Sequence, residues 1–470
     1  MDGVMIALVS ALAVAIALWL SWRAAKVART PQGAVGWVVF LLSTPYVAIV
    51  LYALFGPHRY RRRSRTRRAS RLLFQNARSS GLAPMRGEAE DGIDRRPFER
   101  IAGMSFTAGN RVDLLIDGAE TFAALFDAVD RAEHDIMIQF YTFADDTIGT
   151  RMIDRLIAAA ERGVTVRLSV DGVGSARFGR AAIARMQAVG IEGLARRRRV
   201  PLARHLQINF RNHRKVMIVD GREGYLGGLN VADIYLGESR AFGPWRDTFA
   251  RVTGPVVKQL QLVFAEDWHW QTGVSLQREI DWTAPAAAGP TEALMVATGP
   301  TDGEDGGAAM FFAAIAQAQN RIWISTPYFV PDLALISALK LAAMKGREVR
   351  ILVPESIDHH LPWLAAFAYF DELVEAGVEI WRFQDGFLHQ KALLIDDRLS
   401  GIGSTNFDNR SFRLNFETMA LFIDPELGAR MERMLAADFA RARPLATPLS
   451  GQPLPIRLGA PLARLFAPVL

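Results

Sequence analysis

One pattern of histidine, lysine, aspartate, glycine and asparagine occurs twice in this sequence, with the same spacing each time. The first copy runs from His213 to Asn230 and the second from His389 to Asn406, and both read H-x-K-x4-D-x6-G-[G/S]-x-N. One copy alone would be weak evidence, whereas two copies in register indicate a duplicated unit. The chain is therefore expected to contain two related domains in a pseudo-twofold arrangement, with both copies facing one point.

The segments that precede the two copies repeat as well. A strand-like stretch at 135–143 and another at 321–329 each follow a helix-like stretch. Strands that alternate with helices indicate an α/β fold. With 470 residues, the chain has room for two such domains, which we predict at 101–285 and 286–440, and for segments at both ends.

The N-terminus contains two long uncharged stretches, residues 3–22 and 34–56, which are dominated by apolar residues. About 20 apolar residues span a bilayer as a helix, so we predict two transmembrane helices within residues 1–58, the second one kinked at Pro45. A cleaved signal peptide is the alternative for the first stretch. It is disfavoured because no positive charge precedes the stretch and because aromatic rather than small residues end it.

Eight arginines and no acidic residue lie between residues 59 and 71. They account for the net charge of +6, because without them the remaining Lys and Arg residues nearly balance the 49 Asp and Glu residues. The positive-inside rule then places the large C-terminal part in the cytoplasm. The run also suits anionic lipid head groups, whereas nucleic acid is not an expected partner, because few aromatic residues accompany the arginines. With a linker, the run occupies residues 59–100.

The spacing within each copy is suited to chemistry on a phosphodiester. Residues i and i+2 of a strand point to the same side, so the histidine and the lysine of each copy share a face, and a glycine-containing return strand brings back the asparagine. Cations and amides can neutralise the phosphate oxygens while one histidine attacks phosphorus and the other protonates the leaving alcohol. The residues with these roles are His213, Lys215, Asn230, His389, Lys391 and Asn406. Because the lysines supply positive charge, no metal or other cofactor is expected.

Four acidic residues complete or follow the two copies. Asp220 and Asp396 belong to the H-x-K-x4-D signature and are counted with the catalytic set, although we interpret them as strand-end acids that hydrogen-bond loop backbone. A nucleophilic histidine needs its other ring nitrogen held, usually by a carboxylate. Asp247 and Glu417 are the candidates, each a similar distance after the histidine of its own half. The alternatives are ordinary surface acids for this pair and satisfied core residues for the two histidines.

With these residues in view, the sequence resembles the phospholipase D superfamily and, within it, the bacterial cardiolipin synthases. The resemblance covers nearly the whole chain and includes Phe210-Arg-Asn-His-Arg-Lys215, Gly243-Pro-Trp-Arg-Asp247, Thr326-Pro-Tyr-Phe-Val-Pro-Asp332 and Asn409-Arg-Ser-Phe412. It implies two phospholipase D-like domains, each a mixed sheet flanked by helices, at the bacterial inner membrane. It also implies an enzyme that passes a phosphatidyl group from one phosphatidylglycerol to another and releases glycerol. By that likeness, His213 is the nucleophile and His389 the general acid/base.

Several alternatives stay open on the sequence alone. A hydrolase of the same superfamily would use water as the acceptor, and a non-catalytic membrane scaffold would keep the fold, although intact His, Lys and Asn residues in both halves argue against the scaffold. The acceptor lipid could be phosphatidylglycerol or phosphatidylethanolamine, and the oligomeric state is open. Arg196–Arg199 could bind a second lipid head group or form a solvated loop. Residues 441–470 are expected to form a partly ordered tail that touches the membrane.

Overall fold

The computed structural model describes residues 2–28, 31–56, 70, 72–74, 92–176, 178–193, 211–239, 242–302 and 305–470. These residues form two compact units, one built from residues up to 56 and the other from residues 70 onward. Nearly all of the arginine run, most of the linker and Arg196–Arg199 lie outside the described residues.

The N-terminal unit consists of three helices, α1 (Asp2–Val27), α2 (Pro31–Ser43) and α3 (Pro45–Phe55). In the described part of the chain, one helix is long and apolar enough to cross a membrane, namely the 25 residues Gly3–Val27. The expected second span is instead two shorter helices. The break falls at Pro45, because proline has no N–H to donate and its ring collides with the preceding turn. Of the two transmembrane helices expected from the sequence, the first is the one candidate helix, and the second, expected to be kinked at Pro45, is a pair of shorter helices.

The second unit is built around a 14-stranded mixed sheet. The strands of the first half are β1 (Thr107–Ile116), β2 (Asp135–Phe140), β3 (Thr165–Val170), β4 (Val216–Val219), β5 (Glu223–Gly227), β6 (Trp245–Arg246) and β7 (Thr248–Thr253). Those of the second half are β8 (Thr291–Thr298), β9 (Arg321–Ser325), β10 (Phe329–Val330), β11 (Glu348–Pro354), β12 (Glu379–Phe383), β13 (Phe387–Leu388), β14 (Ala392–Ile395), β15 (Leu399–Gly403), β16 (Phe407–Asp408), β17 (Glu417–Ile423) and β18 (Ala442–Pro444).

The two halves of this sheet repeat one strand order. It runs β3-β2-β4-β5-β7-β1 in the first half and β11-β9-β14-β15-β17-β8 in the second, with β12 and β18 added at the outer edge. The antiparallel pair β1–β8 joins the halves. The short strands pair separately, β6 with β13 and β10 with β16. This repetition agrees with the duplicated α/β unit expected from the sequence.

Helices flank the sheet. They are α4 (Arg96–Ala102), α5 (Asp117–Arg131), α6 (Thr147–Glu161), α7 (Arg180–Ala188), α8 (Val257–Thr272), α9 (Gly306–Gln317), α10 (Leu333–Met344), α11 (His360–Val374), α12 (Asn409–Arg413), α13 (Pro425–Ala440) and α14 (Leu454–Arg464). Helix α8 is buried continuously from Val257 to Trp268 and packs against strands of both halves. Its polar residues are therefore available to the interior of the molecule rather than to solvent.

The last 30 residues continue the second domain instead of leaving it as a tail. Strand β18 pairs with β12, so the sheet extends beyond the expected boundary at residue 440. Helix α14 then packs on α11, and the chain ends against α12, where the Arg410 N–H donates to the Leu470 carbonyl over 2.5 Å.

Candidate active site

The backbone of each histidine is held by the opposite half of the molecule. The His213 N–H donates to the carbonyl of Phe416 over 2.9 Å, and the His389 N–H donates to the carbonyl of Arg246 over 2.8 Å. The β6–β13 pair and a bridge between Asn212 and Phe416 extend this contact. Each histidine consequently lies beside the residue that precedes the candidate acid of the other half.

The carboxylates cross over in the same way. The Nδ1 atom of His213 lies 2.9 Å from Oε1 and 3.1 Å from Oε2 of Glu417. The Nδ1 atom of His389 lies 2.8 Å from Oδ2 of Asp247. The expected pairing of each acid with the histidine of its own half was therefore wrong, because the strand segments that carry them pair between halves. With Nδ1 engaged, Nε2 is the ring nitrogen of each histidine that can face a substrate.

The two lysines fold back toward their histidines. The Lys215 Nζ donates to the His213 carbonyl over 2.6 Å. The Lys391 Nζ donates to the His389 carbonyl and lies 3.0 Å from the Nδ1 of that residue. An ammonium group has three donors, so these contacts leave N–H groups for phosphate oxygens.

Burial controls the charge of the four basic groups. It lowers the pKa of His213 despite the opposing effect of Glu417, and it lowers the pKa of His389 well below the ordinary range, with the Lys391 ammonium adding to the effect. Burial also lowers the pKa of Lys215 to about 7 and that of Lys391 to about 8. At neutral pH both imidazoles are neutral, which is the form that a nucleophile or a general base requires.

The two carboxylates differ in their environments. Burial raises the pKa of Glu417, but His213, Lys215 and Ser404 more than offset this, so its pKa lies below the ordinary value. Burial raises the pKa of Asp247 to about 6, because its neighbours compensate less. The orienting carboxylate of His213 is consequently the more firmly ionised one.

The glycine/serine position of the repeated pattern accounts for part of this difference. Ser404 donates its hydroxyl to Oε2 of Glu417 over 2.5 Å. At the equivalent Gly228, an added Cβ would lie 2.2 Å from Oδ1 of Asp247, so no side chain fits there. A serine therefore supports the acid in one half, while a glycine makes room for it in the other.

Asp220 and Asp396 lie at the opposite ends of β4 and β14 from the His and Lys residues. Each has a left-handed backbone, with φ of 51°. The carboxylate of each accepts three backbone N–H bonds of 2.7–3.0 Å, from residues 133–135 for Asp220 and residues 319–321 for Asp396. These contacts fix the loops that lead into β2 and β9.

The two asparagines are bonded differently. Asn230 accepts from the Thr142 N–H over 3.0 Å and donates to the Tyr235 hydroxyl over 2.6 Å. The side-chain oxygen of Asn406 is buried without a hydrogen-bond partner. Since both asparagines follow strands that return beside the lysines, the structure brings them to the site, but only Asn406 has an uncommitted side-chain oxygen.

Sequence reasoning missed a buried arginine between the first His and Lys. Arg214 is 0% exposed; it binds Asp267 of α8 through contacts of 2.5 and 2.6 Å and donates to the Glu417 carbonyl over 3.0 Å. In the second half Gln390 holds this place and donates to Asp438 over 2.8 Å. The strand alternation was the available signal, because a polar residue between His and Lys must point into the core and requires a buried partner.

Aromatic rings line the two histidines. The Tyr141 ring meets the His213 ring edge-on with centroids 4.9 Å apart, and Trp245 lies 5.2 Å from the His389 ring. The side chains of His213 and His389 are consequently only 15% and 9% exposed. Within the described ranges, no group of three or more His, Asp or Glu residues is arranged to hold a metal ion.

Comparisons with known proteins agree with this geometry. The family profile described as "Cardiolipin synthase, PLD-like domain" matches residues 125–268 and 311–439. Cardiolipin synthase A of Pseudomonas fluorescens is 38% identical over 94% of both chains, and that of Pseudomonas entomophila is 38% identical over 100% of this chain and 98% of its own. The crystal structure of phosphatidylserine synthase from Haemophilus influenzae shares the fold with a TM-score of 0.61, at 15% identity, over 80% of this chain and 99% of its own. This chain therefore belongs to the cardiolipin synthase family with phospholipase D-like domains.

Proposed function

We propose that this protein is a membrane-bound phosphatidyltransferase that makes cardiolipin and glycerol from two molecules of phosphatidylglycerol. The observation that carries the proposal is the pair of crossed histidine–carboxylate contacts, 2.9 Å for His213 and 2.8 Å for His389, with a lysine bonded to the carbonyl of each histidine. Two imidazoles with the same orientation and separate carboxylates allow one to attack phosphorus while the other moves protons. Full-length relatives named cardiolipin synthase A support the choice of lipid.

In the first half-reaction, Nε2 of His213 attacks phosphorus of the donor lipid. The phosphorus–nitrogen bond forms as the bond from phosphorus to the glycerol head group breaks, and His389 gives its Nε2 proton to the departing alkoxide. His389 must therefore enter this step protonated, although its burial lowers its pKa. The negative charge of a bound phosphodiester favours that protonation. Glycerol leaves, and the phosphatidyl group remains on His213.

The second half-reaction reverses these roles. His389, now neutral, takes the proton from a hydroxyl of the acceptor phosphatidylglycerol, whose oxygen attacks phosphorus and breaks the bond to His213. Glu417 stabilises the imidazolium character that His213 acquires in each transfer, since its carboxylate lies on Nδ1. His389 finishes protonated and His213 neutral, so the cycle is balanced without another reactant.

The lysines and asparagines are assigned to the phosphate. Lys215 and Lys391 place positive charge near the developing negative charge of the phosphoryl oxygens, which a metal ion would otherwise supply. Asn230 and Asn406 are assigned to donate side-chain N–H groups to the phosphate oxygens, and Asn230 retains one such N–H beside the one that it donates to Tyr235. Asp220 and Asp396 act at a distance by holding the loops before β2 and β9.

The N-terminal unit is assigned to membrane anchorage with two crossings. Helix α1 exposes large apolar side chains such as Leu8 and Leu12 over its surface. Helices α2 and α3, of 13 and 11 residues, together reach about 36 Å at 1.5 Å per residue, enough for a bilayer core of about 30 Å if the break at Pro45 is tolerated. The arginine run after α3 supports a cytoplasmic catalytic part.

The lipid product tests the reaction. Purified protein in phosphatidylglycerol bilayers should form cardiolipin with equimolar glycerol, as measured by mass spectrometry. His213→Ala should abolish the product, while His134→Ala, a change at a histidine whose side chain is 67% exposed, should keep it. Phosphatidic acid in place of cardiolipin would instead identify a hydrolase that uses water, and mixed bilayers with phosphatidylethanolamine would reveal the acceptor.

Topology is tested separately. The chain has no cysteine, so a single Glu161→Cys variant carries one thiol on an exposed helix end. An impermeant maleimide added to intact cells should leave this thiol unmodified and should label it after lysis. Labelling of intact cells would contradict the cytoplasmic assignment.

A further inference from the structure

Helix α14 and the turn after it bury small residues and expose large ones, the reverse of an ordinary surface helix. The buried residues are Ala460, Ala463 and Ala467. Five large apolar side chains are 53–74% exposed and form what we name the α14 apolar stripe: Leu454, Leu458, Leu462, Leu465 and Phe466. Their spacing of three or four residues puts them on one face of the helix.

The inward face of α14 packs closely against α11. A Cβ on Gly459 would lie 3.3 Å from the Leu364 side chain of α11, so the two helices approach closely. Arg464 stacks over Tyr369 of α11 at 4.7 Å and donates to the Ala368 carbonyl over 3.3 Å. Because small residues already satisfy this contact, the outward leucines are not needed to hold α14 in place.

The charge around the stripe points to an anionic surface. Residues 441–470 contain four arginines and no acidic residue. Arg457 is exposed within α14, whereas Arg464 is partly neutralised by Glu372 at 4.0 Å. Basic residues beside an apolar face are typical of helices that lie in a membrane interface.

We propose that the α14 apolar stripe lies in the head-group layer of an anionic bilayer and holds the catalytic domain against the surface that contains its lipid substrate. A second copy of this chain fits less well, because a symmetric α14–α14 contact would bring the arginines of both copies together with no acid on either helix. The segment after α14 is also tied to the second histidine pattern, which supports the proposal. Arg410 of α12 binds the carbonyls of Leu470 and Val469, and α12 directly follows that pattern in the chain.

Depth in the bilayer is the direct test. Since the chain has no cysteine, Leu458→Cys can carry a single environment-sensitive fluorophore in the full-length protein, with Glu161→Cys as the matched exposed control. Both are placed in nanodiscs that hold one copy and contain phosphatidylglycerol. The label at 458 should emit at shorter wavelength and resist an aqueous quencher, and the label at 161 should do neither. Arg457→Gln should lower the inserted-to-free ratio about fivefold, since a basic residue near an anionic surface contributes about 1 kcal/mol.

Two results would overturn the proposal. One is a label at 458 that is quenched as fully as the label at 161. The other is protection that occurs only in discs holding two copies, which would identify a second chain as the occupant. These fluorescence readouts do not depend on turnover. A failure of the docking proposal can therefore be distinguished from a failure of the proposed reaction.

An activity measurement extends the test to substrate access. Leu458→Glu combined with Leu462→Glu should lower cardiolipin formation from bilayer phosphatidylglycerol and leave turnover of a short-chain, water-soluble phosphatidylglycerol unchanged. Leu458→Met with Leu462→Met should match wild type in both assays. Wild-type activity on both substrates, or a loss on the soluble substrate as large as the loss on the bilayer substrate, would contradict the docking role.

Discussion

The crossed pairing of acids and histidines predicts that Glu417→Gln and Asp247→Asn block different chemical steps. Glu417 is 0% exposed and accepts from His213, from Ser404 over 2.5 Å and from Asn415 over 3.1 Å. A glutamine at this position replaces one acceptor oxygen with an NH2 group. That group is itself a donor, so it cannot accept these hydrogen bonds and is repelled by the donor that it faces. It also favours the His213 tautomer with the proton on Nε2, which cannot attack phosphorus. The equivalent change in a serine-protease triad lowers turnover about 10⁴-fold, and we expect a loss of about 10³–10⁴-fold here.

A substrate with an activated leaving group separates the two variants. A p-nitrophenyl phosphodiester of the lipid needs no proton on its leaving group, so the first step depends on His213 alone. Asp247→Asn should then release a burst of nitrophenol and accumulate the phosphatidyl-enzyme, because His389 has lost its orienting carboxylate. Glu417→Gln should give neither the burst nor the adduct.

The control is Glu161→Gln, which removes an exposed acid and should match wild type. The reasoning is refuted if the pattern inverts, with a burst in Glu417→Gln and none in Asp247→Asn. That outcome would mean that His389 is the nucleophile or that each acid serves the histidine of its own half.

Three further predictions follow from the same contacts. The value of kcat/KM should fall as pH rises above about 7–8, because the Lys215 and Lys391 ammonium groups lose their protons. It should also fall below about pH 6, where Asp247 becomes protonated. A flat profile of kcat/KM from about pH 6 to about pH 9 would contradict this prediction. EDTA should leave activity intact, and complete loss that a single divalent ion restores would count against lysine-based charge neutralisation. Gly228→Ser should displace Asp247 and abolish turnover, since the new Cβ would lie 2.2 Å from its Oδ1, while Ser404→Gly should cost only about tenfold, the loss of one hydrogen bond to a charged group.

The duplicated pattern made much of the fold and part of the site predictable. Spacing alone predicted that the histidine and the lysine of each copy lie on one side of the chain. In the structure each lysine comes just before β4 or β14 and binds the carbonyl of the histidine two residues earlier. The hydrogen bonds of Asp220 and Asp396 to loop backbone were also expected, because an acid that ends a buried strand has few other partners.

The partners across the interface could not be read from the sequence. Glu417 follows His389 in the chain but contacts His213, because strand pairing between halves depends on three-dimensional closure and not on sequence distance. Arg214 was overlooked for a related reason: its partner Asp267 lies on a helix whose burial is unusual for a run containing Lys, Gln, Glu and Asp residues. The docking of α14 likewise depends on packing that composition does not determine.

Mapping the covalent intermediate tests the central claim most directly. Wild-type protein turning over radiolabelled phosphatidylglycerol is quenched at alkaline pH, where phosphohistidine-type bonds survive, then digested and sequenced by mass spectrometry. The account predicts one phosphatidyl adduct, on His213, and none in His213→Ala. An adduct on His389 with none on His213 would reverse the two roles, and cardiolipin synthesis with no histidine adduct at all would contradict the double-displacement mechanism.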